Sequence, residues 1–376
     1  MALTERFISP TGAGAHDGTS EANAWTTAEA IAAIGVGPAA ASLRCNIKVD
    51  PAPYAFAATS LVFNTAGAAN FPVIWQGYKV APGDQENNPW AVPLVDIPQW
   101  TFTTGNITVS GVHQWLRNLD ISTASVTAAA MLISGSHCRF TGSRLAATGV
   151  NTLSRAIQVT GQYVEILNNN IRATTTAQQL ILAATGTAIT GNYLTGGAVG
   201  VAITSGLSVP FLFNIFDAIG GDAIQVTTGS MIAVANLFYS PVGHGILLSG
   251  TPTAMSTLVG NHFENFNSGK LPFNNTSGTP SGLVLNINGS YFNCPSGTIG
   301  GQGDIPAPRD KGILASAGFP NGATGDFTPS TALQAIGFPG KYQGMTGFQG
   351  YMDNGPIQRQ EPASGGRTPM YRIRGG

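Results

Sequence analysis

An asparagine recurs at a fixed interval through the middle of this chain, at Asn170, Asn192, Asn214, Asn236 and Asn261. The first four are 22 residues apart and the fifth follows after 25. Such a period is the mark of one small unit stacked on copies of itself. Two residues after each Asn lie Arg172, Leu194, Phe216, Phe238 and Phe263. Ten after the first four lie Leu180, Ala202, Ile224 and Ile246, and twelve after lie Leu182, Thr204, Val226 and Leu248. The last two columns alternate with smaller or polar residues, the pattern of strands with one buried face. A helix-pair repeat takes about 34 residues, so a 22-residue unit with Gly/Asn turns predicts one coil of a parallel β-solenoid. A single coil cannot bury its own inner face, and stacking makes one continuous core at about 4.8 Å per coil. Asn170, Asn192, Asn214, Asn236 and Asn261 then form a ladder of side-chain amides at a bend that Asn tolerates. Phe216, Phe238 and Phe263 form an interior aromatic stack.

The period extends less regularly in both directions. Trp115 to Ile121 and Cys138 to Leu145 align as earlier coils, Pro72 to Tyr78 as one earlier still, and Gly289 to Cys294 as a later one. Residues 43–300 are thus expected to form the parallel β-helix, about eleven coils and roughly 50 Å long. Residues 1–42 are expected to hold an N-terminal strand and a capping helix. Thr26 and Glu29 have capping-box spacing ahead of the Ala-rich stretch Ala30 to Ile34, which Gly35 closes. Residues 301–376 are expected to form a C-terminal cap, with a short helix over Ser330 to Ile336, and then an extended assembly arm carrying Arg359, Arg367, Arg372 and Arg374.

Composition narrows the function. Only 9% of residues are charged and the net charge is −1, which excludes the basic face of a nucleic-acid binder. A hydrophobic fraction of 43% supports a large core. There is no apolar run of 18 residues to insert in a membrane, and Met1 to Arg6 lacks the basic-then-apolar pattern of a secretory leader. Cys45, Cys138 and Cys294 are an odd, widely spaced set, which predicts buried thiols in a reducing compartment. No metal-ligand spacing and no cofactor fingerprint occurs, so no metal and no cofactor is expected.

Asp17-Gly18-Thr19 through Trp25, the Ala-rich helix, the Asn46 to Pro51 and Pro72 to Tyr78 stretches and the 22-residue Asn ladder together resemble right-handed parallel β-helix proteins of the pectin-lyase-like class. The segment Asp353 to Pro362 is similar to C-terminal ends of such proteins in bacterial and viral genomes. The resemblance implies an all-β, single-stranded, right-handed parallel β-helix, a hand that the general crossover preference also favours. It implies no one function, because the class spans polysaccharide lyases, glycoside hydrolases, phage tailspikes, adhesins and virion proteins.

Residues 121–300 carry nine charged side chains: Arg139, Arg144, Arg155, Glu165, Arg172, Asp217, Asp222, Glu264 and Lys270. The calcium-binding carboxylate cluster of a pectate lyase has no counterpart in this set. Three of the four acids nevertheless cluster on neighbouring coils. Asp217, Tyr239 and Glu264 follow their asparagines by three residues, and Asp222 and His244 follow theirs by eight. A glycosidase needs two carboxylates about 5–9 Å apart, and a His can relay a proton to one of them. Asp217, Asp222, Glu264 and His244 are therefore the candidate catalytic set of a carbohydrate-active enzyme. The same residues also read as solvated turn positions.

The favoured expectation is a structural or surface protein of a virus particle, of the bacteriophage capsid-decoration, spike or fibre kind, made in the host cytoplasm and located in the virion. Its expected partners are further copies of itself, with a homotrimer favoured, other virion proteins and host surface polysaccharide. A sparsely charged surface of Thr, Ser, Asn and Gly packs into assemblies without desolvating ions. The alternatives are the polysaccharide-degrading enzyme and a bacterial surface adhesin, which would be extracellular or on the cell surface.

Overall fold

The computed structural model describes residues 3–34, 42–85, 96–124, 129–149, 155–173, 179–205, 208–252, 254–277, 284–287, 289–294, 299–301, 304–306 and scattered positions from 312 to 330, Phe319 among them. The chain winds as a right-handed parallel β-helix of three sheets. The first sheet has 12 strands, the second 11 and the third 10, and every pairing between them is parallel. Between Ser42 and Gly301 the chain visits the three sheets in turn ten times. A strand at Leu3–Ile8 precedes these circuits on the first sheet, and pairing continues past residue 300 at Asp304–Pro306 and Gly312–Ile313. The expected cap helix over Ser330 to Ile336 and the arm carrying Arg359, Arg367, Arg372 and Arg374 lie outside the described residues, Ser330 excepted.

The first end is plugged by helix α1 (Thr27–Ile34). Its capping box is closed: Thr26 N–H donates to Glu29 Oε2 at 2.7 Å, and Glu29 N–H donates to Thr26 Oγ1 at 3.2 Å. The bond from Thr26 N–H, with those from His16 and the Thr26 hydroxyl, holds the Glu29 carboxyl down at about 2. Ala30 is buried, and Ile31 and Ile34 pack on the end of the core. Apolar surface that the first coil would leave wet is covered in this way.

From the third to the ninth circuit the chain turns between the first and second sheets with no loop, and one residue at this corner takes a left-handed conformation: Asn118, Gly142, Asn168, Gly191, Phe213, Ala235 and Gly260, all with φ between +51° and +67°. That kink takes the following N–H out of the ladder of strand bonds. The side chain of the next coil repairs the loss. The N–H of Asn192 donates to Asn214 Oδ1, that of Asn214 to Asn236 Oδ1 and that of Asn236 to Asn261 Oδ1, at 2.9–3.0 Å. Each Nδ2 in turn reaches a carbonyl of the preceding coil, such as Ile166 O from Asn192 and Ile189 O from Asn214. The left-handed residue is thus the one before the asparagine, and the asparagine satisfies the backbone the bend exposes.

The ladder corrects one expected member. Asn169, not Asn170, stands below Asn192: its N–H and Nδ2 both donate to Asn192 Oδ1, at 2.9 and 3.1 Å. Ser143 takes the rung before, with its N–H on Asn169 Oδ1. The three asparagines 168–170 divide the work: Asn168 makes the left-handed corner, Asn169 is the rung, and Asn170 begins the strand Asn170–Ala173. That coil is one residue longer than 22, so a strict period lands one position late. The inner column is consequently Ile171, Leu194, Phe216, Phe238, Phe263 and Tyr291, and Arg172 belongs to the outer face. The rings of Phe216, Phe238 and Phe263 stack at 4.9 and 4.7 Å, and Tyr291 continues the stack at 5.5 Å.

The third sheet needs the same correction. Its inner columns are Ile181–Val201–Ile224–Ile246 and Ala183–Ile203–Val226–Leu248, rather than the columns through Leu180, Ala202, Leu182 and Thr204. The distance from the rung to the first inner residue of the third sheet is 12, 9 and 10 residues for Asn169, Asn192 and Asn214. The turn between the second and third sheets varies in length while the sheets keep their spacing.

Removing a rung leaves buried backbone donors without acceptors, at about 1–3 kcal/mol each. Asn214→Ala is expected to lower stability by roughly 2–4 kcal/mol in urea denaturation. Asn170→Ala is expected to change it by no more than about 0.5 kcal/mol.

Candidate functional site

Half of the ten charged side chains between residues 120 and 300 gather on one surface, the outer face of the second sheet. Strand pairing fixes two outward columns there. One runs Asp120, Arg144, Asn170, Tyr193, Ile215, Leu237, His262, Ser290. The other runs Ser122, Ala146, Arg172, Thr195, Asp217, Tyr239, Glu264, Phe292. The remaining charges lie elsewhere: Arg139 and Glu165 form an ion pair on the first sheet, Arg155 is on the third, and Asp222 and Lys270 are in turns.

The two halves of this face differ. In the late half Ile215, Leu237, Tyr239, His262, Glu264 and Ser290 are all buried. Here the C-terminal part of the chain returns to the sheet. Phe319 is 1% exposed, its ring lies 5.4 Å from that of His262, and its N–H donates to Glu264 Oε2 at 3.0 Å. A closed relay runs beneath it. His262 meets Ser290 Oγ through Nδ1 at 2.8 Å and Glu264 Oε2 through Nε2 at 2.9 Å. Burial pulls the His262 pKa down, against the pull of Glu264. The ring is therefore neutral: Nε2–H donates to the carboxylate, and Nδ1 accepts from the serine. Order and hydrogen bonds suggest a Ser-His-Glu relay, but Ser290 and Glu264 are 2% and 1% exposed, and no substrate reaches them in this conformation.

The early half is open. Asp120, Ser122, Arg144, Leu145, Ala146, Asn170 and Arg172 line a cavity of about 340 Å³. Arg144 and Asp120 are half-buried, and Arg172 is exposed. Burial raises the Asp120 pKa above the ordinary carboxylate value, opposed by Arg144 and Arg172. Burial lowers that of Arg144; Asp120 opposes the fall and Arg172 adds to it. Further along, Tyr193 Oη donates to Asp217 Oδ2 at 2.5 Å. Burial keeps the Asp217 carboxyl above its ordinary value in spite of that bond.

The acids expected from sequence therefore occupy three environments. Asp217 and Glu264 share one column with Tyr239 between them, about 9–10 Å apart at two strand spacings. Glu264 is enclosed, while Asp217 is half-buried at the boundary of the open half. Asp222 and His244 lie in the turn that leads to the third sheet. Asp222 Oδ1 accepts the His244 N–H at 2.8 Å, and His244 Nδ1 accepts the Leu271 N–H at 2.9 Å. A ring nitrogen that caps a backbone donor is committed to holding a turn. Sequence reasoning missed Asp120, Arg144 and Arg172 as neighbours. They come from three successive coils of unequal length, so no constant interval reveals them.

Among solved structures this fold is similar to a pectate lyase, Pel9A (TM-score 0.62, 11% identity, 85% of this chain and 82% of that one). It is also similar to a mannuronic acid specific family 6 lyase from human gut microbiota (0.53, 13%, 84% and 83%) and to a rhamnogalacturonan lyase (0.51, 13%, 84% and 85%). No family model matches the chain, and no curated protein matches it. The fold places the chain with pectate lyase and other right-handed parallel β-helix proteins. At these identities the likeness is one of fold.

A histidine buried neutral stabilises the fold above its unfolded pKa of about 6.5, and that stability is lost as pH falls towards the lower folded value. Between pH 7.5 and 5.5 the melting temperature of the native chain is expected to fall relative to His262→Gln by about 2 °C or more. Limited proteolysis is expected to cut near Phe319 more readily at the lower pH. Parallel melting curves would show that His262 does not couple protonation to this docking.

Proposed function

We propose that this chain is a rod-shaped structural protein of a virus-particle surface that contacts glycans through the outer face of its second sheet without cleaving them. The observation that carries this reading is the division of that face. Its polar side chains gather on one long strip, yet Glu264 is sealed beneath Phe319 and Asp222 and His244 hold a turn. Of the candidate catalytic acids this leaves Asp217 alone beside the open half, and a glycosidase needs a pair. The sparsely charged remainder, 9% Asp, Glu, Lys and Arg over the chain, suits close packing among identical subunits and other particle proteins. Homotrimers are the assembly this reading favours.

One observation favours the enzyme as a second reading. Asp217 is half-buried, with its carboxyl held above the ordinary range by burial. That is the condition of a general acid, and the solved structures of similar fold include enzymes named as pectate and rhamnogalacturonan lyases.

Peptide mass spectrometry on sedimented particles from the source culture is expected to find the protein at high copy number. Light scattering of the purified chain is expected to give three times the 38.7 kDa monomer mass. A glycan array is expected to retain it, with Asp217→Asn bound as well as the native chain and no product released. Absence from particles, together with cleavage that Asp217→Asn abolishes, would replace this reading with the enzyme.

A further inference from the structure

Among the described residues, the lining of the cavity on the open half of the second sheet brings two guanidinium groups and one carboxylate, an excess of one positive charge. Asp120, Arg144 and Asn170 are neighbours along one outward column, and Ser122, Ala146 and Arg172 along the other. Arg144 and Arg172 are therefore diagonal neighbours on adjacent strands. Their backbones lie about 8 Å apart on a 4.8 Å strand spacing and a two-residue rise. Small residues at Ser122 and Ala146 leave the space between them. Burial costs Arg144 part of its hydration, and Arg172 adds repulsion. Among the described residues that line the cavity Asp120 is the one carboxylate beside the two cations, and a further anion there would offset both the lost hydration of Arg144 and its repulsion from Arg172.

We propose that this cavity binds a tetrahedral oxyanion ester, a sulfate or phosphate group carried on a glycan, bridged between the guanidinium groups of Arg144 and Arg172. The inference rests on the glycan-contact reading and names the chemistry of its ligand. A carboxylate presents two oxygens in one plane, so a guanidinium fork paired with both leaves a second fork only the outer lone pairs of that same plane. A sulfate or phosphate ester presents three terminal oxygens on different sides, enough to meet two forks rooted on different strands. The rest of the lining recognises the sugar: the Asp120 carboxylate accepts a hydrogen bond from a hydroxyl, and Ser122 and Asn170 both donate and accept. Arg172 is exposed, so the group enters from solvent without movement of the sheet.

The test is calorimetric titration of the full chain at low salt with six probes. These are a heparin-derived oligosaccharide, a phosphorylated mannan oligosaccharide, an oligogalacturonate, a dextran oligosaccharide, inorganic sulfate and inorganic phosphate. The sulfated or the phosphorylated oligosaccharide is expected to bind at least tenfold more tightly than the uronate and dextran probes, and which of the two binds identifies the source. Arg172→Gln is expected to weaken it at least tenfold with an unchanged melting temperature. Arg144→Gln is expected to do the same, and Asp120→Asn to tighten it by removing the competing anion. Uronate binding as tight as either ester, or ester binding that Arg172→Gln leaves unchanged, overturns the proposal. So does failure of both ester probes. Dextran or uronate binding that is indifferent to Arg172→Gln would remove this site and keep the glycan reading. Inorganic sulfate or phosphate binding lost in Arg172→Gln, with no oligosaccharide retained, would remove the glycan and leave a bare anion site.

Discussion

The corner between the first and second sheets is the constraint on which the rest of the molecule depends. A parallel β-helix must turn its chain between sheets, and in seven circuits here one left-handed residue makes the turn. That kink takes the next N–H out of the strand ladder and buries it, and a buried unpaired donor costs about 1–3 kcal/mol. The asparagine of the following coil answers with its Oδ1, and its Nδ2 reaches back to a carbonyl of the coil before. Each rung ties three coils along the axis. Four corner residues carry side chains in this conformation: Asn118 and Asn168, which tolerate it, and Phe213 and Ala235, of kinds that avoid it. The ladder and the close packing beneath it hold them there.

A stable corner keeps the strands of the second sheet in register, and register gives the outer face its character. Successive side chains on a strand point to opposite sides, so each coil sends one residue in and two out. The inward column is the Ile, Leu and Phe stack. The outward columns collect residues far apart in sequence, such as Asp120 with Arg144 and Arg172, or Glu264 with Ser290. The same rigid surface serves two purposes. Its late half receives the C-terminal part of the chain through Phe319. Its early half stays open as a charged cavity. Buried polar groups at the closed end are fully paired, which suits a docking contact. Those at the open end are half-buried, with burial raising the Asp120 pKa and lowering that of Arg144, which suits binding.

The 22-residue asparagine period, the capping box at Thr26 and Glu29 and the absence of helical periodicity were enough to derive an all-β parallel solenoid with a plugged first end. They specify it because the forces involved are local or repeat at constant spacing: a corner that needs a particular side chain, an inner face that alternates, a helix start with its own caps. The same period misassigned the rung at Asn170 and two columns of the third sheet. Where three asparagines stand in a row, composition does not say which one turns, which bonds and which points out. That choice depends on the 23-residue length of one coil, and it was decided by which amide meets Asn192.

The site was less accessible to sequence reasoning than the fold. Asp217, Tyr239 and Glu264 were correctly placed in one column, because the coils between them keep the corner-to-strand distance constant. Whether a carboxylate in that column is open or sealed depends on Phe319, which lies 55 residues beyond Glu264 and carries no periodic mark. The Asp120, Arg144 and Arg172 cluster was hidden for the same reason, since its members are brought together by strand pairing across coils of unequal length. The sequence by itself therefore determined the architecture, whose interactions recur at fixed intervals along the chain. Only the tertiary structure decided which charges meet and which are covered, because those contacts join residues whose separation follows no interval.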